Sequence, residues 1–244
     1  MIYEAHLRAA EAGAWPLDTS IPWDRVDLAA ARGEREIHAA LHDAALIEGY
    51  LPVYAARLMQ LLWDDVDATA VLSMELFEGL KHYTALKRYL DLVGFQPASA
   101  NEAALVAARE RALGIAYEER DLARHLTNFM CSELFAAYFF LRFARQTREP
   151  VLEQLLSHMS RDEFRHAASA GDVLEQRLER NPALVPEVLA AAQHFRHYGS
   201  DVVNVPVAEG NDFEAIVALN RKIRLLCGVA PVEHLKEAMG YGDQ

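Results

Sequence analysis

The stretch RDEFRH, residues Arg161–His166, lies inside a long helical pattern that runs from about residue 149 to residue 180. Glu163 and His166 are three positions apart and therefore share one face of a helix. Iron and manganese accept both a carboxylate and an imidazole as ligands. Alone the spacing is a weak signal, because Asp162 and the two arginines would also suit a solvated charged face. The other helical segments decide between these interpretations.

The composition is that of an acidic, globular chain. Of the 244 residues, 52 % are hydrophobic and 25 % are charged, so the chain is large enough to bury a core. The formal net charge of −12 argues against nucleic acid as a partner. Neither a signal peptide nor an apolar run long enough to span a membrane is recognisable. Two cysteines, Cys131 and Cys227, do not suggest a secreted disulfide framework, and we expect a cytoplasmic protein.

Basic residues are grouped in three places that could attract an acidic partner in spite of the net charge. The groups are Lys81, Lys87 and Arg88; Arg142, Arg145 and Arg148; and Arg221, Lys222 and Arg224. Each group equally fits a helix face, or a helix end at which cations are stabilised by the helix dipole. The sequence leaves both interpretations open.

Apolar residues recur at helical spacing along the chain, and no strand pattern of useful length is present, which predicts an all-α fold. Four long helices are predicted at about residues 34–63, 65–93, 117–146 and 149–180, with a short one at about 102–113. Residues 1–30, interrupted by Pro16 and Pro22, are predicted to be irregular. Shorter helices are predicted at about 186–198, 213–227 and 231–239. We therefore expect a single domain over residues 1–244, with a core bundle at about 34–180, additional helices at its N- and C-terminal ends, and the C-terminal ones at about 183–240.

Each of the four long helices carries a candidate ligand. The candidates are Glu48 on the first, Glu78 and His82 on the second, Glu133 on the third, and Glu163 with His166 on the fourth. Glu48 fits an exposed polar face equally well. Glu133 is the only acid in a long apolar run, where a carboxylate is costly to bury unless it is paired or ligating. Ferritin-like bundles that hold two iron or manganese ions use a defined set of ligands. Two of the helices each provide one Glu, and the other two each provide a Glu-x-x-His motif. The sequence therefore predicts a ferritin-like four-helix bundle.

The four candidate segments read EGYLPVY from Glu48, HYTALKRYL from His82, ELFAAYFF from Glu133 and DEFRH from Asp162. In this order they resemble the ligand segments of the soluble acyl-carrier-protein desaturases. In that family the first segment has a Glu before Leu-Pro-x-Tyr, and the fourth reads Asp-Glu-x-Arg-His. The resemblance covers about residues 23–239, including the tail at 205–229, and its third and fourth segments are the most specific.

The resemblance implies a homodimeric, oxygen-activating enzyme with two iron ions. It would introduce a double bond into an acyl chain on acyl carrier protein, with electrons from a ferredoxin. The implied metal ligands are Glu48, Glu78, His82, Glu133, Glu163 and His166, a set that manganese accepts as well as iron. The family's suspected electron route would correspond to Trp23, His82 and Asp162, with Asp162 fixing the tautomer of His82. For Trp23, an aromatic cover over the core is an equal alternative.

Gly79 departs from the family, whose second segment has a ligating Glu three residues before the histidine. The nearest acid here is Glu78, four residues before His82. Three interpretations stay open: Glu78 ligates through a locally widened turn, water or substrate takes the ligand position, or one metal site is lost. Glycine costs a helix about 1 kcal/mol relative to alanine, so a packing accident explains it poorly. Ala136 is a second difference, because the family has a threonine there that is implicated in oxygen activation.

The favoured function is a di-iron oxidase that attacks an unactivated carbon, either by desaturation or by another oxidation such as hydroxylation. Apolar side chains of the third helix are candidates to line a substrate channel, although aromatics at this spacing equally fit a core: Met130, Phe135, Phe139 and Phe140. The alternative is a non-catalytic or single-metal bundle that binds a ligand or partner. Iron storage is disfavoured, because nothing in the sequence indicates a cage.

Overall fold

The structure, a computed structural model, describes residues 2–97, 101–115, 118–203 and 213–229. The helices are α1 (Ile2–Ala12), α2 (Leu17–Ser20), α3 (Leu28–Ala31), α4 (Arg35–Leu61), α5 (Val66–Leu92), α6 (Asn101–Leu113), α7 (Leu122–Gln146), α8 (Pro150–Arg180), α9 (Val185–Gln193) and α10 (Phe213–Cys227). Short 3₁₀ turns lie at Trp23–Arg25, Glu119–Asp121, Pro182–Leu184 and Tyr198–Asp201. No strand occurs within the described ranges, which confirms the predicted all-α class.

The four long helices α4, α5, α7 and α8 form a bundle. α4 packs mainly on α5, and α7 packs mainly on α8, while α5 meets α8 and α4 meets α7 across the centre. The shorter helices lie around this bundle: α1 against α5 and α8, α6 against α4, and α9 and α10 against α7. None of the helices in the described part of the chain is both long and apolar enough to cross a bilayer.

Local sequence sets where the bundle helices begin and end. The Asp65 side chain accepts a hydrogen bond from the Ala68 amide and so caps α5. Glu149 caps α8 by accepting from two backbone amides, and Pro150 occupies the first helical position, where a missing amide proton costs nothing. α5 ends at Leu92, and Gly94 shortly after it has a φ of +68°, a conformation that glycine adopts without strain.

The prediction that residues 1–30 are irregular is wrong, because α1 occupies Ile2–Ala12. The less exposed residues of α1 share one face of the helix, and contacts to residues distant in sequence also hold this helix in place. The Ile2 amide donates to Asp67 Oδ2, and His6 pairs with Asp172 at 3.1 Å. The helix predicted at 186–198 ends earlier, at Gln193. The helix predicted at 231–239 lies outside the described residues, as do the tail residues 204–212.

The buried apolar side chains form two clusters rather than one continuous core. One cluster includes Leu58, Phe129 and Leu174, and the other includes Leu41 and Leu155. Along each long helix, one cluster takes the residues before the candidate ligands and the other takes the residues after them. The candidate ligands therefore lie in a buried polar layer, which the two apolar clusters enclose from both ends of the bundle.

Candidate metal centre

The structure brings the six predicted ligands together in the polar layer, each at most 5 % exposed. They are Glu48 on α4, Glu78 and His82 on α5, Glu133 on α7, and Glu163 and His166 on α8. Burying so many ionisable groups is costly unless they pair with one another or hold cations.

Glu163 is the centre of the layer, because its two carboxylate oxygens face different histidines. Its Oε1 lies 2.7 Å from His82 Nδ1, and its Oε2 lies 3.0 Å from His166 Nδ1. Two groups of potential metal ligands result: one of Glu48, His82 and Glu163, and one of Glu133, Glu163 and His166. Within each group the ligand atoms lie within 4.8 Å of one another. Glu163 belongs to both groups.

The donor atoms fit a cation better than they fit each other. His82 Nδ1 and Glu163 Oε1 are buried and lie 2.7 Å apart, but their contact does not have the geometry of a hydrogen bond. Buried polar atoms without partners are rare and costly, and a cation held between them would satisfy both. The imidazole and carboxylate donors suit iron, manganese or zinc.

The outer nitrogen of each histidine also faces a carboxylate. His82 Nε2 lies 3.1 Å from Asp162 Oδ2, and His166 Nε2 lies 2.9 Å from Glu78 Oε2. Carboxylates in this position fix the tautomer and ring orientation of a metal-binding histidine, leaving its other nitrogen for the metal. The predicted contact between Asp162 and His82 is therefore present, and Glu78 makes the corresponding contact to His166.

α5 has no widened turn at Glu78, and a metal-ligand role for this residue stays a prediction. α5 is α-helical throughout, and the Glu78 carboxylate lies on the outer side of His166. There its Oε2 accepts a hydrogen bond of 2.6 Å from Arg165 Nη2. Glu78 belongs to neither of the two ligand groups.

Gly79 faces the layer from α5, and other side chains already fill the space beside it. A Cβ added at this position would lie 2.5 Å from Leu51 Cδ2 and 3.1 Å from Glu48 Oε2. No side chain fits at residue 79 unless both neighbours move. Where the family has a ligating Glu, this chain therefore has a glycine against which α4 packs closely.

The resemblance implied that Trp23 lies beside His82 and Asp162. The structure places Trp23 elsewhere. The Trp23 indole donates instead to the Leu17 carbonyl at 2.8 Å. Trp15 is the tryptophan of the centre: its Nε1 donates to Asp162 Oδ2 at 2.6 Å, and its ring stacks on that of His82 at 6.0 Å between centroids. Nothing in the sequence marks Trp15, which lies before the region of the resemblance.

Sequence reasoning also missed Glu75 and Tyr198. The Tyr198 hydroxyl donates to Glu133 Oε1 at 3.1 Å, across 65 positions of sequence, and no sequence signal indicates this contact. Glu75 is 1 % exposed and accepts a hydrogen bond from Ser169. A signal for Glu75 did exist, since it lies seven residues before His82 and therefore on the same helix face.

The ionisable groups of the layer lie close enough to shift one another's pKa values. Burial opposes ionisation of Glu163, but the positive charges of His166 and His82 outweigh it and hold the Glu163 pKa well below its usual range. Burial likewise opposes the charged form of the two histidines, but Glu163 and the hydrogen bonds to carboxylates raise both histidine pKa values well above the usual range. Glu163 and the two histidines therefore favour one another's charged forms.

Burial favours the protonated form of two other carboxyl groups in the layer. Burial and the charge of Glu163 raise the pKa of Glu133 well above its usual range and that of Glu48 to about 7. Metal ligands must be deprotonated carboxylates and neutral imidazoles. A divalent cation entering this layer would therefore compete with protons for these groups.

Comparison of the chain with known protein families and with curated protein sequences gives no match. The desaturase-like character of the four segments therefore stays a prediction.

The first of the three basic groups that could attract an acidic partner is paired with acids of the chain itself. Lys87 pairs with Glu102 at 2.8 Å, and Arg88 pairs with Asp18 at 2.6 Å. The third member, Lys81, contacts the buried Asp162. These contacts favour the helix-face interpretation of this group, and a carrier-protein partner stays a prediction.

The side chains predicted to line a substrate channel divide between the two apolar clusters. Met130 belongs to one cluster with Phe135 packed against it, while Phe140 belongs to the other with Phe139 packed against it. They therefore lie on opposite sides of the polar layer and contribute to core packing at each end of the bundle.

Proposed function

We propose that the chain is an oxygen-dependent oxidase that holds two iron ions in the polar layer. The observation that carries the proposal is the position of Glu163, with one carboxylate oxygen towards His82 Nδ1 and the other towards His166 Nδ1. A structural site for one cation would need neither a shared carboxylate nor two imidazoles on opposite sides of it. Two iron ions bound there would supply the redox chemistry that activates dioxygen.

Each part of the layer has a definite role in this proposal. Glu48 and His82 would hold one ion, Glu133 and His166 the other, and Glu163 both. The apolar clusters above and below the layer exclude water, which protects a reactive site from side reactions.

The residues around the two ligand groups would keep these donors in position. Asp162 and Glu78 orient the two imidazoles from their outer nitrogens. On the opposite side, the Tyr198 hydroxyl orients the Glu133 carboxylate.

The proposed overall reaction removes two hydrogen atoms from neighbouring carbons of an acyl chain and forms a double bond. Dioxygen is the oxidant, and two electrons and two protons from outside complete its reduction to two molecules of water. A ferredoxin-type donor would supply the electrons, and the Trp15–Asp162–His82 contact offers them a route from the N-terminal segment to the centre. The acyl-carrier substrate, the ferredoxin-type donor and the homodimer come from the resemblance alone.

Metal content per chain tests the proposal first. Protein from iron-supplemented cells, or reconstituted with Fe²⁺ without oxygen, should hold about two ions per chain. Glu163→Ala should hold none, because both groups lose a ligand, and Glu133→Ala should lose the ion on the His166 side. Glu175→Ala is the matched control, since Glu175 is an exposed acid on the same helix, and it should keep both ions.

Oxygen chemistry is the second readout. The reduced, iron-loaded protein should develop a new near-ultraviolet absorption band when it meets dioxygen. A non-catalytic bundle would instead hold one ion or none and develop no such band. If Glu163→Ala kept the wild-type metal content, the proposed centre would be excluded.

A further inference from the structure

We propose that Glu75 is a further metal-ligating carboxylate of this centre, in place of the one that Gly79 does not provide. This inference rests on the two-metal site of the proposed function and deepens it. The family resemblance assigns no role to residue 75.

The position of Glu75 along the bundle makes the assignment geometrically reasonable. Glu75 precedes Gly79 by four residues and His82 by seven, so the three share one face of α5. α5 and α8 run antiparallel, and the contact of Glu78 with His166 is followed, one turn along, by the contact of Glu75 with Ser169. The Glu75 carboxylate therefore lies one helical turn beyond the contact of Glu78 with His166, outside the two ligand groups of the metal-free layer.

The Glu75 carboxylate is buried and only half satisfied. Its exposed fraction is 1 %, and its Oε1 accepts a hydrogen bond from the Ser169 hydroxyl. Its Oε2 is buried without any hydrogen-bond partner among the described residues. A carboxylate in such a place must hold a proton or contact a cation, because an unpaired buried charge is costly.

The charged groups that face Glu75 do not fill the role of that cation. The positive charges of His166 on α8 and His6 on α1 favour ionised Glu75, and the negative charge of Glu163 opposes it. His6 is already engaged by Asp172 at 3.1 Å. Burial outweighs both attractions and raises the Glu75 pKa to about 7, so at neutral pH the proton on Glu75 is readily displaced.

The charge of the centre provides an independent reason. The two ligand groups contain three carboxylates, Glu48, Glu133 and Glu163, while the histidines are neutral when they ligate. Two divalent cations bring four positive charges, so these ligands alone would leave a net positive charge in a buried layer. Ionised Glu75 supplies the fourth negative charge and makes the loaded centre neutral.

Stoichiometric titration with Mn²⁺ under anaerobic conditions tests the assignment, because bound and free Mn²⁺ differ in their electron paramagnetic resonance signal. We expect wild type to bind about two ions per chain, and Glu75→Gln to bind the second about tenfold more weakly or not at all. Glutamine has the same shape and no charge, so the metal-free fold should persist, which circular dichroism melting checks.

Two matched variants separate ligation from packing. Ser169→Ala removes the hydrogen bond to Glu75 but leaves its carboxylate, and should keep the second ion. Glu175→Ala removes an exposed acid from α8 and should also keep it. Loss of the second ion in Ser169→Ala as well as in Glu75→Gln would overturn ligation in favour of packing.

The titration distinguishes an error in the role of Glu75 from an error in the proposed two-metal centre. If wild type and Glu75→Gln both bind two ions with the same affinity, Glu75 is not a ligand, while the two-metal centre stands. If wild type binds no ion, the proposed centre fails, and the role of Glu75 fails with it.

Discussion

The Trp15 indole N–H donates to Asp162 Oδ2 over 2.6 Å, which ties the segment after α1 to the centre of the bundle. The same carboxylate oxygen lies 3.1 Å from His82 Nε2 and accepts from Lys81 Nζ at 3.1 Å. Hydrogen bonds to an ionised acceptor are among the strongest in proteins. Trp15 and Lys81 therefore hold in place the carboxylate that orients His82.

Trp15 should report on metal binding through its fluorescence. Its ring stacks on His82, whereas Trp63 is 80 % exposed. A paramagnetic ion such as Co²⁺ in the centre should quench the Trp15 emission, because the two lie on either side of one imidazole. Trp15→Phe should abolish most of the metal-dependent quenching and lower the free energy of unfolding by about 1.5–3 kcal/mol.

Trp63→Phe is the control for this experiment, and it should keep the quenching intact. Fluorescence titrations of the two variants, with urea unfolding of each, provide the measurement. Unchanged quenching in Trp15→Phe would show that no ion binds beside His82.

Gly79→Ala should destabilise the protein, although alanine favours helix by about 1 kcal/mol over glycine. The new Cβ would lie 2.5 Å from Leu51 Cδ2, and overpacking of this kind costs about 1–3 kcal/mol. Adding Leu51→Ala should relieve the clash, so the double variant should be more stable than the sum of the two single effects by about 1 kcal/mol or more. Urea unfolding of all four proteins measures this coupling.

Gly33→Ala serves as the comparison, because no atom lies within 4 Å of a Cβ added there. It should change the free energy of unfolding by about 0.5 kcal/mol or less. Additive effects of Gly79→Ala and Leu51→Ala would contradict the close packing described here.

The sequence contains enough information to predict the bundle and most of the centre. Helical periodicity locates the four long helices to within a few residues, because each buries an apolar stripe over several turns. Glu133 is identifiable because a solitary acid in an apolar run needs a partner, and Glu163 with His166 because a spacing of three puts both on one face.

The parts that could not be predicted depend on direction and on distant contacts. Glu78 and Gly79 both lie close to the helix face that carries His82. Helical periodicity does not show whether a side chain on that face points towards the ligand groups or towards the outer nitrogen of a histidine. Trp15 and Tyr198 reach the centre through hydrogen bonds that span 147 and 65 positions, for which no local pattern exists. Glu75 shares the helix face of His82, but its separation of seven residues falls outside the Glu-x-x-His spacing.

The pH dependence of the free energy of unfolding should show that burial raises the pKa of Glu75 in the metal-free protein. Burial raises its pKa from an ordinary 4.5 to about 7, so between these values the folded protein binds more protons than the unfolded chain. Stability therefore falls as pH rises through this window, and the loss is complete above the folded pKa. Relative to Glu75→Gln, wild type should be about 1 kcal/mol less stable at pH 5 and about 3 kcal/mol less stable at pH 8.

Urea unfolding of both proteins in the presence of a chelator measures this difference. His6, His166 and Glu163, which face residue 75, are present in both proteins, so their own titration largely cancels. A bound divalent ion should reverse the sign at pH 8, because ionised Glu75 then contacts a cation and stabilises the folded state. If the difference between the two proteins were the same at pH 5 and pH 8, Glu75 would not titrate in this range, and the buried carboxyl without a partner at Oε2 would be contradicted.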